Sequence, residues 1–215
     1  MQTRIEALLF DLGGVVIDLD QARAHARWAE LTGMPMSDIA FLVRERIVGG
    51  DAYCRHERGE ISDAQFFAHL RQQLRLELSD VEFVDGWNSI FIGEIPGIRR
   101  VLASVQGLLP LYAFSNTNVA HQAYWSRQFS DLLAPFRKIY VSHEIGARKP
   151  EPAAFRNVVA DMGLAPDRVL FFDDSAENVA GAQACGLRAV EVTTAAAIER
   201  ALSDFGVRLC GGHAP

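Results

Sequence analysis

An α/β fold, a doubly wound and mostly parallel sheet interrupted by a helical insertion, is what this 215-residue sequence predicts. Three observations carry the prediction. Short apolar runs ending in polar or turn residues recur along the chain, amphipathic helical stretches separate them, and one long segment shows helical periodicity alone. Parallel strands need crossovers, and helical crossovers cover both faces of the sheet.

Residues 6–11 open the series. Ala7, Leu8, Leu9 and Phe10 form the unbroken apolar run expected of a strand buried on both faces, and Asp11 followed by Gly13-Gly14 ends it in a turn. Over 20–95 the alternation stops, and helical spacing appears in 21–31, 37–48, 62–76 and 79–91. The best-defined helix start is Ser62, because Asp63 follows and Gln65 stands three residues on, the signature of a capping box. The alternation then resumes: a helix at 96–105 with Pro96 at its start, a strand at 109–114, a helix at 118–128 and a strand at 138–141. A helix at 151–162 stopped by Gly163, a strand at 168–172, a helix at 176–185 stopped by Gly186 and a strand at 187–192 complete it. The tail 211–215 is expected to fray.

Hydrophobic residues make up 49% of the chain and charged ones 22%, which excludes a disordered protein. The 27 acidic against 21 basic residues leave a net charge of −6, so no broad cationic face is expected and a nucleic-acid partner is excluded. Cys54, Cys185 and Cys210 are odd in number and never paired as Cys-x-x-Cys, and are expected to be reduced thiols rather than a disulfide framework or zinc site. The first residues lack the apolar region of a signal peptide, and no run reaches the ~18 apolar residues of a membrane span. The expectation is a soluble, cytoplasmic protein with no membrane partner.

Chemistry-bearing residues gather where the strands end: Asp11 after the first, Ser115-Asn116-Thr117 after the second, Lys149-Pro150 beyond the third, Asp173-Asp174 after the fourth. Open parallel sheets bind ligands beyond these ends. Three carboxylates would form an oxygen-rich site for a hard cation such as Mg²⁺, and a hydroxyl, amides and an ammonium nearby would hold a phosphate. Singly, each has a plainer reading: Asp11 and Ser115 as turn or cap residues, Lys149 as a surface charge, the acidic pair as a helix cap. Burying two like charges without a cation is costly, however, which favours the metal site. Lys149 is also one of only two lysines, against 19 arginines, so a lysine at this position is informative.

The motifs Phe10-Asp11-Leu12-Gly13-Gly14-Val15, Phe114-Ser115-Asn116-Thr117-Asn118, Arg148-Lys149-Pro150-Glu151-Pro152 and Phe171-Phe172-Asp173-Asp174-Ser175-Ala176-Glu177-Asn178, in this order, resemble the four motifs of the haloacid dehalogenase-like superfamily. The resemblance covers nearly the whole chain. It implies a Rossmann-like core at 1–17 and 97–215 and a helical cap at 18–96, hinged near 16–20 and 92–96 and closing as a lid over a small phosphorylated metabolite. It implies Asp11 as the nucleophile, forming an aspartyl-phosphate that water hydrolyses. Mg²⁺ would be held by Asp11, the Gly13 carbonyl, Asp174 directly and Asp173 directly or through water. Ser115 and the following amides, Asn116 among them, would grip the phosphoryl oxygens, and Lys149 would neutralise charge.

In one respect the chain departs from that pattern. Phosphatases of the family usually carry a second Asp two residues after the nucleophile as general acid and base, and here Gly13 stands there. Such a group is worth about 10² to 10⁴ in rate, so its loss favours a leaving oxygen that needs little protonation, such as an anomeric hydroxyl. The chain looks like a subgroup of bacterial sugar-phosphate phosphatases that includes α-D-glucose-1-phosphate phosphatase, whose first motif also reads Asp-Leu-Gly. The run 56–62 and the run Ser115-Asn116-Thr117-Asn118 add to the likeness. A sugar 1-phosphate is therefore the favoured substrate. Two rivals stand beside this reading: a 2-haloacid dehalogenase, against which the acidic pair argues, and a degenerate binding or regulatory module, against which the surviving motif residues argue. His56, Glu57 and Arg58 either read the substrate or form a solvated loop, with the loop favoured. His25, Trp28 and Trp87 either line the pocket or pack, with packing favoured, and His143, Trp125 and the cysteines are expected to pack. The oligomeric state is left open.

Overall fold

The computed structural model describes residues 4–207, so Cys210 and the tail 211–215 lie outside the described residues. The chain begins with β1 (Ala7–Phe10) and β2 (Ile17–Leu19), then passes through five helices, α1 (Gln21–Thr32), α2 (Met36–Arg46), α3 (Asp51–Glu57), α4 (Asp63–Leu74) and α5 (Asp80–Asn88), to β3 (Phe91–Glu94). There follow α6 (Ile98–Val105), β4 (Leu111–Ser115), α7 (Val119–Gln128), α8 (Ser130–Leu133), β5 (Lys138–Val141), α9 (Ser142–Ile145) and α10 (Pro152–Met162). The chain closes with β6 (Val169–Asp173), α11 (Ala176–Ala184), β7 (Arg188–Glu191) and α12 (Ala195–Asp204).

Five strands form a parallel sheet in the order β5-β4-β1-β6-β7. β1 is central, and the chain winds outward from it on both sides, so the topological switch point lies at its carboxyl end. Its apolar run explains this place: every residue of β1 is buried, as a strand with helices on both faces requires. Alternate side chains feed two cores. Leu8 and Phe10 join Val101 and Leu102 of α6 and Ile198 and Leu202 of α12 on one face. Ala7 and Leu9 join Phe155 and Val158 of α10 and Ala182 of α11 on the other. Phe10 stands opposite Ala113 and Phe172, a register that brings Asp11, Ser115 and Asp173 to one end of the sheet.

The inserted helices have a core of their own, built on Trp28, Phe66, Phe67, Phe83 and Trp87. Ser62 makes the expected capping box, its Oγ accepting from the Gln65 N–H while Gln65 Oε1 accepts from the Ser62 N–H at 2.9 Å. Ser79 and Glu82 make a second. The helix expected at 79–91 ends earlier, at Asn88, because Phe91 turns away to open β3. β2 and β3 pair as an antiparallel ribbon where the insertion leaves and rejoins the sheet, with Ile17 opposite Glu94 and Leu19 opposite Phe91. Both are only partly buried, so neither carries the unbroken apolar run that marks the strands of the sheet in the sequence. Among the described residues no helix is long and apolar enough to cross a membrane.

At Gly86, α5 approaches α1 so closely that an added Cβ would lie 2.1 Å from Nε1 of the buried Trp28. Gly86→Ala is therefore expected to destabilise the protein by about 1–3 kcal/mol, even though alanine is the better helix former by roughly 1 kcal/mol. Urea unfolding reads this directly, and a raised midpoint would mean that the two helices do not meet there.

Candidate active site

A cavity of about 480 Å³ opens at the carboxyl end of β1, between the sheet and the insertion. Asp11, Ser115, Lys149 and Asp174 line it from the sheet side, and Tyr53 and Glu57 line it from the helices. The motif residues that sequence places at four separate strand ends thus meet in one space, because parallel strands all end at the same edge.

At its centre is Lys149, buried, with Nζ 2.9 Å from Asp11 Oδ1 and 2.7 Å from Asp173 Oδ2. The rings of Phe114 and Phe171 lie 5.3 and 5.4 Å from the same nitrogen. Asn116 fixes this lysine from behind: its Oδ1 accepts from the Lys149 N–H at 2.8 Å and its Nδ2 donates to the Lys149 carbonyl at 2.9 Å. The Asn116 side chain is thereby committed, so any contact it makes with an anion falls to its main-chain N–H. The Thr117 N–H is committed as well, donating to Ser142 Oγ at 2.9 Å. The Ser115 hydroxyl, by contrast, has only the Asn116 carbonyl at 3.5 Å, the outer limit of a hydrogen bond.

Asp173 is wholly buried and fully engaged. Its Oδ1 accepts from the Ser175 N–H and from Asn178 Nδ2, each at 2.9 Å, while Oδ2 takes Lys149. Asp174 stands exposed beside it. Gly14, in the left-handed region at φ +75°, makes room for that carboxylate, since an added Cβ would meet Asp174 Oδ2 at 2.2 Å. Carboxylate oxygens of Asp11, Asp173 and Asp174 all lie within 4.8 Å of one another.

Two buried carboxylates thus share one ammonium with the exposed Asp174 close by, an excess of negative charge. Burial pushes the Asp11 carboxyl up to about 7, Lys149 opposing and Asp173 and Asp174 reinforcing. Burial and then Asp173 raise Asp174 too. Burial works against the Lys149 charge, but Asp11 and Asp173 hold its ammonium above the usual lysine value. An all-oxygen donor set with surplus negative charge is what a hard divalent cation needs, so the residues present fit one.

From the insertion, Glu57 is buried and lines the cavity with its carboxylate 2.5 Å from Arg148 Nε. Arg58 reaches Glu151 at 2.8 Å. The solvated loop expected over 56–58 is thus a helix end packed on the sheet side, and its partners stand 91 and 93 residues away in sequence. His56 packs instead, stacked on Phe66 at 4.1 Å and hydrogen-bonded to Asp63 at 2.7 Å. Trp28 belongs to the core of the insertion, as expected. Trp125 packs and also lines the cavity.

His121, on the first turn of α7, is a cavity residue that the sequence reading misses. It stacks on Trp87 at 4.9 Å, and burial pulls it down to about 4, so it is neutral. Its ring nitrogens meet the Trp87 carbonyl at 3.0 Å and Asn118 Nδ2 at 3.2 Å. Asn118 signals the helix start, but nothing in the sequence signals that its third residue faces a cavity.

Comparison with known proteins adds four likenesses. The profile of haloacid dehalogenase-like hydrolases matches residues 5–186. The chain is 28% identical over 183 residues to D-ribitol-5-phosphate phosphatase of Bacteroides thetaiotaomicron, covering 81% of this chain and 85% of that one. It is 29% identical over 226 residues to a phosphatase of Mycobacterium tuberculosis, with 96% and 98% covered. Among solved structures, a haloacid dehalogenase-family enzyme of B. thetaiotaomicron in complex with magnesium and inorganic phosphate is similar at TM-score 0.75 and 27% identity, covering 89% of this chain and 96% of that one.

Proposed function

Since the chain belongs to the haloacid dehalogenase-like hydrolase family, we propose that it is a Mg²⁺-dependent phosphomonoesterase of a small phosphorylated metabolite, a carbohydrate phosphate with the sugar 1-phosphates favoured. One observation carries this: the gathering of Asp11, Asp173 and Asp174 around a single buried Lys149 at the switch point of the sheet. The magnesium complex of the similar structure supports the cation, and the B. thetaiotaomicron relative, named for ribitol 5-phosphate, supports a carbohydrate phosphate without bearing on the 1-phosphate preference.

In this reading the core, 1–17 and 97–215, does the chemistry and the cap, 18–96, covers it. Asp11, Asp174, the Gly13 carbonyl and Asp173, directly or through water, would hold the cation, which would supply the positive charge that lets an anionic nucleophile meet an anionic ester. Asp11 attacks phosphorus; its bond to oxygen forms as the bond to the leaving alcohol breaks. Water then attacks the aspartyl-phosphate, releasing phosphate and restoring the carboxylate. Ser115 Oγ and the Asn116 N–H bind phosphoryl oxygens, and Lys149 opposes the upward shift of the Asp11 carboxyl and offsets charge on the transferring group.

No carboxylate stands at Gly13 to protonate the leaving oxygen. An Asp is compatible with the site: an added Cβ would meet only Leu19 Cδ1 at 2.6 Å, the mobile end of a side chain. Gly13→Asp is expected to raise turnover of sugar 6-phosphates, whose primary alkoxides leave poorly, by about tenfold or more, and that of sugar 1-phosphates by less. Equal effects on both would remove the leaving-group argument.

The test is phosphate release from sugar 1-phosphates, sugar 6-phosphates and ribitol 5-phosphate, with Mg²⁺ and with EDTA. Turnover that needs Mg²⁺ and is fastest on 1-phosphates is expected. Preference for ribitol 5-phosphate would keep the phosphatase and discard the anomeric preference, and no turnover on any ester would overturn the proposal.

A further inference from the structure

Lys149 stands in the irregular segment between α9 and α10, where neither a strand ladder nor a helix holds its main chain. Among the described residues its N–H and its carbonyl share one partner, the Asn116 side chain, at 2.8 and 2.9 Å. The residue that grips is itself held on both sides. Ser115, before it, stands opposite Val141 at the last register position of β4 and β5. Thr117, after it, donates its N–H to Ser142 Oγ at 2.9 Å, and its carbonyl accepts from the same hydroxyl at 3.0 Å. Ser142 is wholly buried. Two reciprocal clamps therefore join the loop after β4 to both ends of the segment 142–149.

A lysine carries its charge at the end of a long, flexible stem, so the place of its nitrogen depends on where its main chain is fixed. Here Nζ must meet Asp11 and Asp173 together, at 2.9 and 2.7 Å, from between the rings of Phe114 and Phe171. Those rings leave the stem little room to make up for a shifted main chain. A misplacement of about 1 Å in a reacting constellation costs on the order of 10²-fold in rate.

We infer that the Asn116 side chain is a positioning residue for phosphoryl transfer: it touches no reacting atom and acts by holding the Lys149 main chain so that the ammonium lies between the carboxylates. The inference rests on the phosphatase reading. It parts the two halves of Asn116, with the N–H serving the anion and the side chain serving the lysine.

Steady-state kinetics with Mg²⁺, on the fastest ester of the panel above, test it. Asn116→Ala is expected to lower kcat by about 10- to 100-fold while KM stays within about threefold. Added to Lys149→Met, where no ammonium is left to place, the same substitution is expected to lower kcat by less than about twofold further. Asn116→Ser, uncharged and able to keep one of the two bonds, is expected to show the same pattern with a smaller loss, and carries the cycle if the alanine variant does not fold. A raised KM with kcat kept would mean that the side chain binds substrate, and would overturn the inference. So would wild-type kinetics in the variants, or a loss that recurs in full beside Lys149→Met. In these cases the phosphatase reading stands; a wild type that hydrolyses no ester removes both.

Discussion

An Asp11→Asn variant is expected to lose phosphate release by at least about 10⁴-fold, as removal of a nucleophile does, and yet to melt higher than the wild type in EDTA at pH 8. The two effects have one origin. Asp11 is placed for chemistry at the expense of stability: burial and the neighbouring carboxylates hold its carboxyl at about 7 in the folded protein against an ordinary value of 3.8. Between those two pH values the folded chain keeps a proton that the unfolded chain has lost, so stability falls as pH rises through the window, and the whole penalty is present above about pH 7. Asn carries no charge and leaves Lys149 in a one-to-one pair with Asp173. The gain in melting temperature should therefore be absent near pH 4 and largest above pH 7. Mg²⁺ should raise the wild-type melting temperature more than that of the variant. Thermal melts across pH, with and without Mg²⁺, read all of this, and a variant no more stable than wild type at pH 8 would show that Lys149 already balances the site.

Lys149→Met is expected to act in the opposite sense on stability and the same sense on activity. Methionine fills a similar volume between Phe114 and Phe171 but leaves Asp11 and Asp173 facing each other without their shared cation. Breaking a buried ionic group by removing one partner costs about 3–5 kcal/mol. The loss of charge neutralisation at the reacting phosphoryl group is expected to cost roughly 10²–10³ in kcat. Urea unfolding in EDTA should show the destabilisation, and saturating Mg²⁺ should recover part of it. A variant with wild-type stability in EDTA would mean that Asp11 and Asp173 are not both ionised there.

The contrast between these carboxylates and the rest of the site shows what a sequence displays. Asp11, Ser115 and the Asp173-Asp174 pair were legible because they follow unbroken apolar runs and parallel strands must end together, whereas Lys149, eight residues past Val141, stood out as one of two lysines and by the order of the motifs. The β1, β4 and β6 strands were legible for the same reason: burial on both faces writes itself as consecutive hydrophobic residues. The signal for α12 is also present, with Thr194 as its cap and Ile198 and Leu202 four residues apart, yet the alternation reading stops at the last strand and misses it. The α3 helix is different in kind. Its seven residues, Asp-Ala-Tyr-Cys-Arg-His-Glu, hold no apolar stripe, and Glu57 is buried only because Arg148 comes to meet it. His121 on Trp87 and Asn116 on the Lys149 backbone are likewise contacts across 34 and 33 residues, fixed by packing rather than by local pattern.

The pairing of Glu57 with Arg148 and of Arg58 with Glu151 has a consequence for how the inserted helices seat on the sheet. Adjacent residues of opposite charge face two residues of opposite charge that bracket Lys149 and Pro150. Such an arrangement is keyed, like a polarised plug. In register, both contacts attract; turned end for end, Glu57 would face Glu151 and Arg58 would face Arg148, and both would repel. The charges thus select one seating among those that apolar surfaces alone would tolerate. Because the keyed pair straddles the loop that carries Lys149, correctly seated helices and a correctly placed ammonium are specified together.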